Sequence, residues 1–174
     1  FGVVIFPGSN CDHDMVYLLK DIMKQEVVEL WHKDTDLQGC DMIILPGGFS
    51  YGDYLRSGAI ASLSPIMESV KKFAADGGYV LGVCNGFQIL CESGLLEGAL
   101  LANDNQKFVC KNQYIATQTN STAFTQKATI GKALNIPIAH GEGRFFADEE
   151  TIKRLNDNEQ ILFRYCDESG KISK

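Results

Sequence analysis

The sequence predicts an α/β fold built on a parallel sheet. Short apolar runs, each typical of a buried strand, alternate with segments whose apolar residues recur at helical spacing. Glycine-rich turns join them, and this alternation is the signature of a parallel sheet with right-handed crossovers. A chain of 174 residues, 45% of them hydrophobic, suffices for one domain with a sizeable core. We therefore expect a single domain over residues 1–174.

The first half of the chain contains most of the predicted parallel sheet. Ser9, Asn10 and Asp12 precede the first helix and are expected to cap it, with Asp12 and Asp14 solvated in its first turn. In order, the predicted elements are a strand at residues 2–6, a helix spanning residues 15–23, strands at 26–31 and 42–45, a helix at 57–75, a strand at 79–83 and a helix to about Cys91.

The second half of the chain has a different pattern. Residues 107–110 and 113–119 alternate more clearly between polar and apolar, and turn residues follow at 120–122. Such alternation predicts antiparallel strands added at one edge of the sheet. A short helix is expected after Asp148, which would cap it, and a last strand at residues 160–165.

Composition excludes several classes of partner. Sixteen basic and twenty-two acidic residues give a net charge of -6, and no cluster of Lys and Arg suggests nucleic-acid binding. The apolar runs are too short to span a membrane, and no secretory signal is visible. Six irregularly spaced cysteines without C-x-x-C favour a reducing cytoplasm, and the three histidines are not paired at metal-ligand spacing. Because the sequence opens on Phe1, we expect a residue or two to precede it.

The most informative stretch is YVLGVCNGFQ, residues 79–88. Its apolar run ends on Cys84, and a potential helix follows, which is the pattern of a nucleophile elbow. Gly82 and Gly86 would give the crowded backbones room. A thiol at a helix start is favoured as thiolate, and the free N–H groups of Asn85 and its neighbour could stabilise an oxyanion. The spacing therefore predicts acyl transfer at Cys84, although most cysteines are simply small buried residues.

A second stretch, PGGFSYGDY at residues 46–54, follows the third predicted strand. Gly47 and Gly48 let the backbone approach a ligand at the carboxyl edge of the sheet, where open α/β sheets bind ligands. It is not a phosphate loop, because Gly52 is followed by an acid and a tyrosine instead of Lys-Ser or Lys-Thr. The alternative is a turn that only needs glycine.

Together with FPGSNCD at residues 6–12 and AHGEGRF at residues 139–145, these motifs resemble those of class I glutamine amidotransferases. Within that family the chain is most similar, over residues 2–165, to glutaminase subunits of phosphoribosylformylglycinamidine synthases. The resemblance implies a flavodoxin-like α/β fold, a doubly wound and mostly parallel sheet with extra antiparallel edge strands. It also implies an enzyme that hydrolyses glutamine through a cysteine thioester, in the cytoplasm.

The resemblance further implies a partner. Ammonia would pass to a separate synthetase, which converts formylglycinamide ribonucleotide to its amidine in purine biosynthesis. ATP and magnesium are expected on that synthetase, with no cofactor and no metal in this chain. A small accessory subunit is also expected, and neither nucleic acid nor a membrane.

The resemblance assigns roles to particular residues. Cys84 would be the nucleophile, with the main-chain N–H groups of Gly48 and Asn85 as oxyanion donors. Glu142 and Arg144 would lie near the pocket rim or the synthetase interface. The residues expected to bind glutamine are Gly47, Phe49, Gln88, Ala139, His140 and Gly141.

One departure concerns the catalytic triad. The family completes it with a histidine and a glutamate in a Pro-His-Pro-Glu-Arg motif, which residues 1–174 do not contain. From chemistry alone His140 and Glu142 could act as base and orienting acid, but AHGEGRF is a separate family motif. We expect the triad histidine and glutamate past Lys174, so that the domain lacks its C-terminal segment and has little activity alone.

Three alternatives stay open at this point. The first is an inactive variant of the family that only supports a synthetase as a non-catalytic binding module. The second is another hydrolase with a cysteine elbow. The third is a redox or chaperone-like protein in which the same thiol senses oxidants.

Overall fold

A four-stranded parallel sheet lies at the centre of the first of two units, Phe1–Leu100, in a computed structural model that describes residues 1–172. The strand order is β2-β1-β3-β4, and neighbouring strands pair in parallel. The order matches the flavodoxin-like arrangement. These four strands are β1, Gly2–Ile5; β2, Val28–Trp31; β3, Met42–Leu45; and β4, Tyr79–Gly82.

Alternate residues of the central strands enter different apolar clusters. Ile43 and Leu45 of β3 belong to one cluster, whereas Ile44 belongs to the other. Since successive side chains of a strand point to opposite faces, both faces of the sheet are buried. Residues from helices supply the rest of each cluster, for example Met67 on one face and Leu19 on the other. The predicted doubly wound α/β architecture is therefore confirmed.

The helices of the first unit differ in detail from the prediction. The segment expected to form one helix at residues 57–75 is a 3₁₀ turn, Ala61–Leu63, followed by an α-helix at Pro65–Ala75. Pro65 causes the break, because proline donates no N–H and disfavours helical backbone in the residue before it. The α-helices are α1, Asp12–Tyr17, continued by a π-helical turn at Leu18–Ile22; α2, Pro65–Ala75; and α3, Asn85–Glu92.

The expected capping of α1 is wrong. Cys11 occupies the N-cap position, and no side chain caps the helix there. Ser9 Oγ instead lies 2.8 Å from the Phe6 carbonyl oxygen and 2.9 Å from Asp12 Oδ2. Asp12 is only 6% exposed, so it is not solvated as predicted. The polar side chains after β1 fold back onto the turn that follows the strand instead of capping the helix.

The second unit, Leu101–Lys174, contains a three-stranded antiparallel sheet. The two segments expected at 107–110 and 113–119 form one continuous strand. Asp148 caps the last helix as predicted, its Oδ1 accepting a bond of 2.7 Å from the Thr151 N–H. The elements from the unit boundary onward are β5, Ala99–Leu101; β6, Val109–Thr117; β7, Ala133–His140; β8, Arg144–Phe146; α4, Glu149–Asp157; and β9, Phe163–Cys166.

The antiparallel order of this sheet is β7-β6-β9. Gln113 of β6 lies opposite Ile136 of β7, and Ile115 lies opposite Tyr165 of β9. The predicted antiparallel strands are thus confirmed, but β7, β6 and β9 form a sheet of their own and do not extend an edge of the parallel sheet as expected. In residues 1–172 no helix has both the length and the apolar character needed to cross a membrane.

Candidate active site

Cys84 occupies a strained turn between β4 and α3. Its backbone has φ 54° and ψ −110°, and it is the N-cap residue of α3. A non-glycine residue at positive φ in such a region costs about 1–3 kcal/mol, and such strain collects at functional sites. The side chain is exposed. The turn therefore presents the thiol to solvent at the start of a helix, as the elbow pattern predicts.

Two glycines make this turn possible. A Cβ on Gly86 would overlap the main-chain oxygen of Leu45, and a Cβ on Gly82 would lie 2.5 Å from the Gly86 oxygen. The Val83 N–H also donates to the Leu45 oxygen at 3.0 Å. The first turn of α3 is thus packed directly on the end of β3, and only glycine fits at either position.

The end of β3 brings Gly47 and Gly48 beside the elbow. Leu45 pairs with Gly82 in the parallel register, so the residues after both strands emerge at the same edge of the sheet. A Cβ on Gly47 would be 3.4 Å from the Cβ of Cys84. Gly48 has φ 116°, and a Cβ there would overlap the main-chain nitrogen of Asn10. Gly48 is therefore required by close approach and by its positive φ, and a simple turn does not account for it, whereas a Cβ at Gly47 would make only ordinary van der Waals contacts.

The main-chain N–H groups of Gly48 and Asn85, at this edge, have no acceptor within residues 1–172. Asn85 is the first residue of α3, where a helix has no internal acceptor. The neighbouring Phe49 N–H, by contrast, donates to the Gly8 oxygen at 3.3 Å. Unpaired N–H groups at a helix start attract negative charge, so this edge can hold an oxyanion beside Cys84.

The side chain of Asn85 lies beneath this edge and joins it to the following loop. Its Oδ1 accepts from the Ser50 N–H at 3.1 Å and the Ser50 hydroxyl at 2.5 Å. Its Nδ2 donates to Asp53 Oδ1 at 3.1 Å and to Gln88 Oε1 at 2.9 Å. We call these four residues the Asn85 network. Gln88 was predicted from the family motif, whereas Ser50 and Asp53 were missed, although both lie within PGGFSYGDY.

Cys11 is a further residue that sequence reasoning missed at this edge. A Cβ on Gly47 would be 3.7 Å from the Cβ of Cys11 as well as close to Cys84. Burial raises the pKa of Cys11, and the charges of Asp14, Cys84 and Asp12 add to the effect. Burial therefore favours the neutral thiol form of Cys11. The sequence signal that could have indicated Cys11 is its place in the FPGSNCD motif.

In the second unit, His140 ends β7 and is oriented by Asn103. The Gly143 N–H donates to Asn103 Oδ1 at 3.1 Å, so that oxygen is an acceptor. His140 Nδ1 lies 3.0 Å from the same oxygen and must therefore carry a proton when the ring is neutral. His140 Nε2 is buried and has no hydrogen-bond partner within the described part of the chain. Sequence reasoning gave no signal for Asn103.

The other residues of AHGEGRF have separate contacts inside the second unit. The Gly141 carbonyl oxygen accepts from the Asn103 N–H at 2.9 Å. Arg144 Nε lies 3.0 Å from Asp104 Oδ1 and 3.2 Å from the Ala102 oxygen. Ala139 pairs with Cys110 in the sheet. In the ranges that the structure describes, no group of three His, Cys, Asp or Glu side chains is placed to hold a metal ion.

A flavodoxin-like sheet that presents a cysteine at a strand-to-helix elbow, beside unpaired N–H groups, has the arrangement that an enzyme of nucleophilic acyl transfer requires. Comparison with known families agrees: the chain belongs to the CobB/CobQ-like glutamine amidotransferase domain family, whose model matches residues 2–174. The prediction of a glutamine amidotransferase is therefore confirmed.

Individual relatives indicate which kind of glutamine amidotransferase the chain resembles. The chain is 51% identical to the phosphoribosylformylglycinamidine synthase subunit PurQ of Salinibacter ruber, covering 99% of this chain and 74% of that protein. It is 56% identical to the same subunit of Chlorobaculum parvum, covering 99% and 68%. The PurLQS structure from Thermotoga maritima matches with a TM-score of 0.83 and 41% identity, covering 98% of this chain and 76% of that one. The prediction of a glutaminase subunit of phosphoribosylformylglycinamidine synthase, in purine biosynthesis, is confirmed.

Proposed function

We propose that Cys84 is the nucleophile that hydrolyses the side-chain amide of glutamine in this enzyme. The observation that carries the proposal is an exposed thiol on a strained elbow, with φ 54°, close to two unpaired main-chain N–H groups. The sulfur attacks the amide carbon and forms a tetrahedral intermediate. Ammonia then leaves with a proton from a general acid, and water hydrolyses the thioester to release glutamate and the thiol.

The N–H groups of Gly48 and Asn85 stabilise the oxyanion of that intermediate. Each is fixed by its surroundings, Gly48 by its packing on Asn10 and Asn85 by its place at the helix start. Donors held in this way need no reorganisation when the charge develops. Removing one such donor typically slows an enzyme by about 10²–10³-fold.

Glutamine itself is held by Gln88, with Gly47 and Phe49 at the end of β3. Gln88 is buried one turn into α3, on the same helix as the nucleophile. Ala139, His140 and Gly141 are also proposed to contact glutamine through their main chain, on the resemblance of AHGEGRF to the family motif alone. This division follows the family motifs in which these residues stand.

The general acid and base are proposed to be a histidine and a glutamate located past Lys174. Supporting this, the sequence matches only 74% and 68% of the lengths of the two PurQ relatives. His140 is not proposed for this role, because its motif is distinct from the triad motif of the family. Its protonated Nδ1 is held by the Asn103 amide.

The ammonia is proposed to serve a synthetase subunit that binds ATP, magnesium and formylglycinamide ribonucleotide, in the cytoplasm. The match to a PurLQS structure supports assembly with other subunits. A small accessory subunit completes the proposed complex. No cofactor, nucleic acid or membrane is proposed for this chain, whose net charge is -6.

The test uses the full-length protein assembled with its synthetase. Diazo-oxo-norleucine, a diazoketone analogue of glutamine, should label Cys84 selectively, and excess glutamine should protect it. Cys84→Ser should abolish glutamine-dependent turnover but leave turnover with added ammonia. Cys110→Ser is the matched control, because Cys110 is also exposed but lies on β6. Unchanged glutamine-dependent turnover in Cys84→Ser would disprove the proposal.

A further inference from the structure

We propose that the side chain of Asn85 is a positioning residue for the amidotransferase reaction, fixing the oxyanion loop and the amide of Gln88 relative to Cys84. This inference rests on the proposed function. It concerns the side chain of Asn85, which is distinct from the main-chain N–H already assigned to the oxyanion.

The hydrogen-bond polarity of the Asn85 network follows from one unambiguous donor. The Ser50 main-chain N–H can only donate, so the Asn85 atom 3.1 Å away must be its oxygen, Oδ1. The other atom of the amide is then the nitrogen. It faces Asp53, whose carboxylate accepts, at 3.1 Å, in agreement with this assignment.

The same reasoning sets the orientation of Gln88. Because Asn85 Nδ2 is a donor, the Gln88 atom that lies 2.9 Å from it must be the oxygen, Oε1. The opposite orientation would place two donors against each other. Gln88 thus turns its amide nitrogen away from Asn85, and this orientation is fixed by a backbone group 38 positions earlier in the sequence.

Burial makes this arrangement rigid. Asn85 is 1% exposed, Ser50 2% and Gln88 9%, whereas Asp53 is half-buried, so among the first three no water can replace a lost partner cheaply. Asn85 uses both lone-pair positions of its oxygen and both hydrogens of its nitrogen. A fully satisfied buried amide of this kind specifies one geometry.

The loop that Asn85 contacts has no regular secondary structure that would hold it in place. Tyr51, Gly52 and Asp53 have positive φ values of 54°, 65° and 54° in succession. Two of them carry side chains, and such conformations persist only where the surroundings impose them. Ser50, two positions after Gly48, links this strained segment to the first turn of α3. Asn85 therefore couples the position of the loop to that of the nucleophile.

The decisive variant is Asn85→Asp in the full-length protein assembled with its synthetase. It keeps the shape and the acceptor for Ser50, but it replaces the donor with an oxygen facing Asp53 and Gln88. Two labelling rates at Cys84 are compared, with diazo-oxo-norleucine and with iodoacetamide. The first reagent needs the glutamine site, whereas the second needs only an accessible thiolate.

We expect the diazo-oxo-norleucine rate and kcat/KM for glutamine to fall about tenfold or more, with the iodoacetamide rate within about threefold of the parent. Turnover with added ammonia should not change. Asn112→Asp is the control for added charge, because Asn112 is exposed on β6. Ser50→Ala, which removes one of the four bonds, should give a smaller change in the same direction.

Equal rates for Asn85→Asp and the parent with both reagents would overturn the inference. A fall of both rates by the same factor would also overturn it, since that indicates general destabilisation. If Asn85→Asp does not fold, as judged by a missing cooperative melt, Ser50→Ala decides by the same ratio of rates. Failure of the proposed function itself would appear differently, as retained glutamine-dependent turnover in Cys84→Ser.

Discussion

The two ends of helix α3 each have a cysteine, and the two thiols have opposite environments. Cys84, at the N-cap, is exposed on strained backbone. Cys91, in the last turn, is buried, and burial raises its pKa to about 11, with a further contribution from Glu92. One helix thus combines a thiol presented for reaction with one kept protonated. Position in the fold, and not residue type, determines the chemistry of each.

Each end of α3 also has a glycine, and the two glycines differ in how closely other atoms surround them. Gly86, in the first turn, is pressed against the end of β3, where a Cβ would overlap the Leu45 oxygen. Gly94, just past the last turn, has φ 76° but open space around it. The first is required by packing and the second only by backbone conformation. Predictions about this helix should therefore separate its two ends.

The largest expected effect is a difference in stability between alanine variants of the two glycines. Gly86→Ala should destabilise the protein by about 3 kcal/mol or more, because neither main chain can move away cheaply. Gly94→Ala should cost only about 1 kcal/mol, the usual penalty for a left-handed alanine. Chemical denaturation of both variants measures the difference. Equal losses of stability would show that the elbow is looser than its geometry indicates.

An intermediate effect is expected in the alkylation rates of the two thiols, Cys84 and Cys91. With iodoacetamide near pH 7.5, a typical assay value, Cys84 should be alkylated within minutes while Cys91 stays unmodified until the protein unfolds, a contrast of about 100-fold or more. Mass spectrometry of peptides from the labelled native protein checks this. Modification of Cys91 at a comparable rate would contradict the burial that distinguishes the two ends.

The smallest expected effect concerns alkaline stability. A thiol whose pKa is raised on folding contributes stability fully below the unfolded value of about 8.5, and this stability is lost as pH rises towards about 11. Cys91→Ala should therefore cost about 1 kcal/mol near pH 7 through lost packing, and the difference from the parent should shrink above pH ~9. Thermal melts of both proteins at pH 7 and pH 10, below and above the unfolded thiol pKa of about 8.5, measure this stability difference. A constant difference would argue against the shift.

The sequence predicted the features that depend on neighbouring residues. The elbow around Cys84 follows from local spacing, and β3 at Met42–Leu45 matches its predicted limits. The break before Pro65 was not predicted although it has a local signal, the proline itself, because the helical periodicity of the segment was given more weight. Local patterns therefore predicted the sheet, its order of elements and the elbow at Cys84.

The features that were not predicted depend on distant residues. Asn85 and Ser50 are 35 positions apart, and His140 and Asn103 are 37 apart. No periodicity or spacing in the sequence indicates such pairs, because they form only when strand ends meet. The burial of Asp12 is an exception, because its partner Ser9 is only three positions away and was interpreted as a helix cap. The hydrogen-bond network around the elbow is thus harder to predict than the elbow itself.

The bond from Ser50 to Asn85 also affects how the main chain of this loop exchanges protons with solvent. The Ser50 amide proton lies in an irregular segment, yet it is buried and held by a side chain on the elbow helix. It can exchange for deuterium only when that side chain releases it, so its exchange rate measures how often the loop and the elbow separate. A single amide proton thereby becomes a probe of the opening of the whole edge of the sheet.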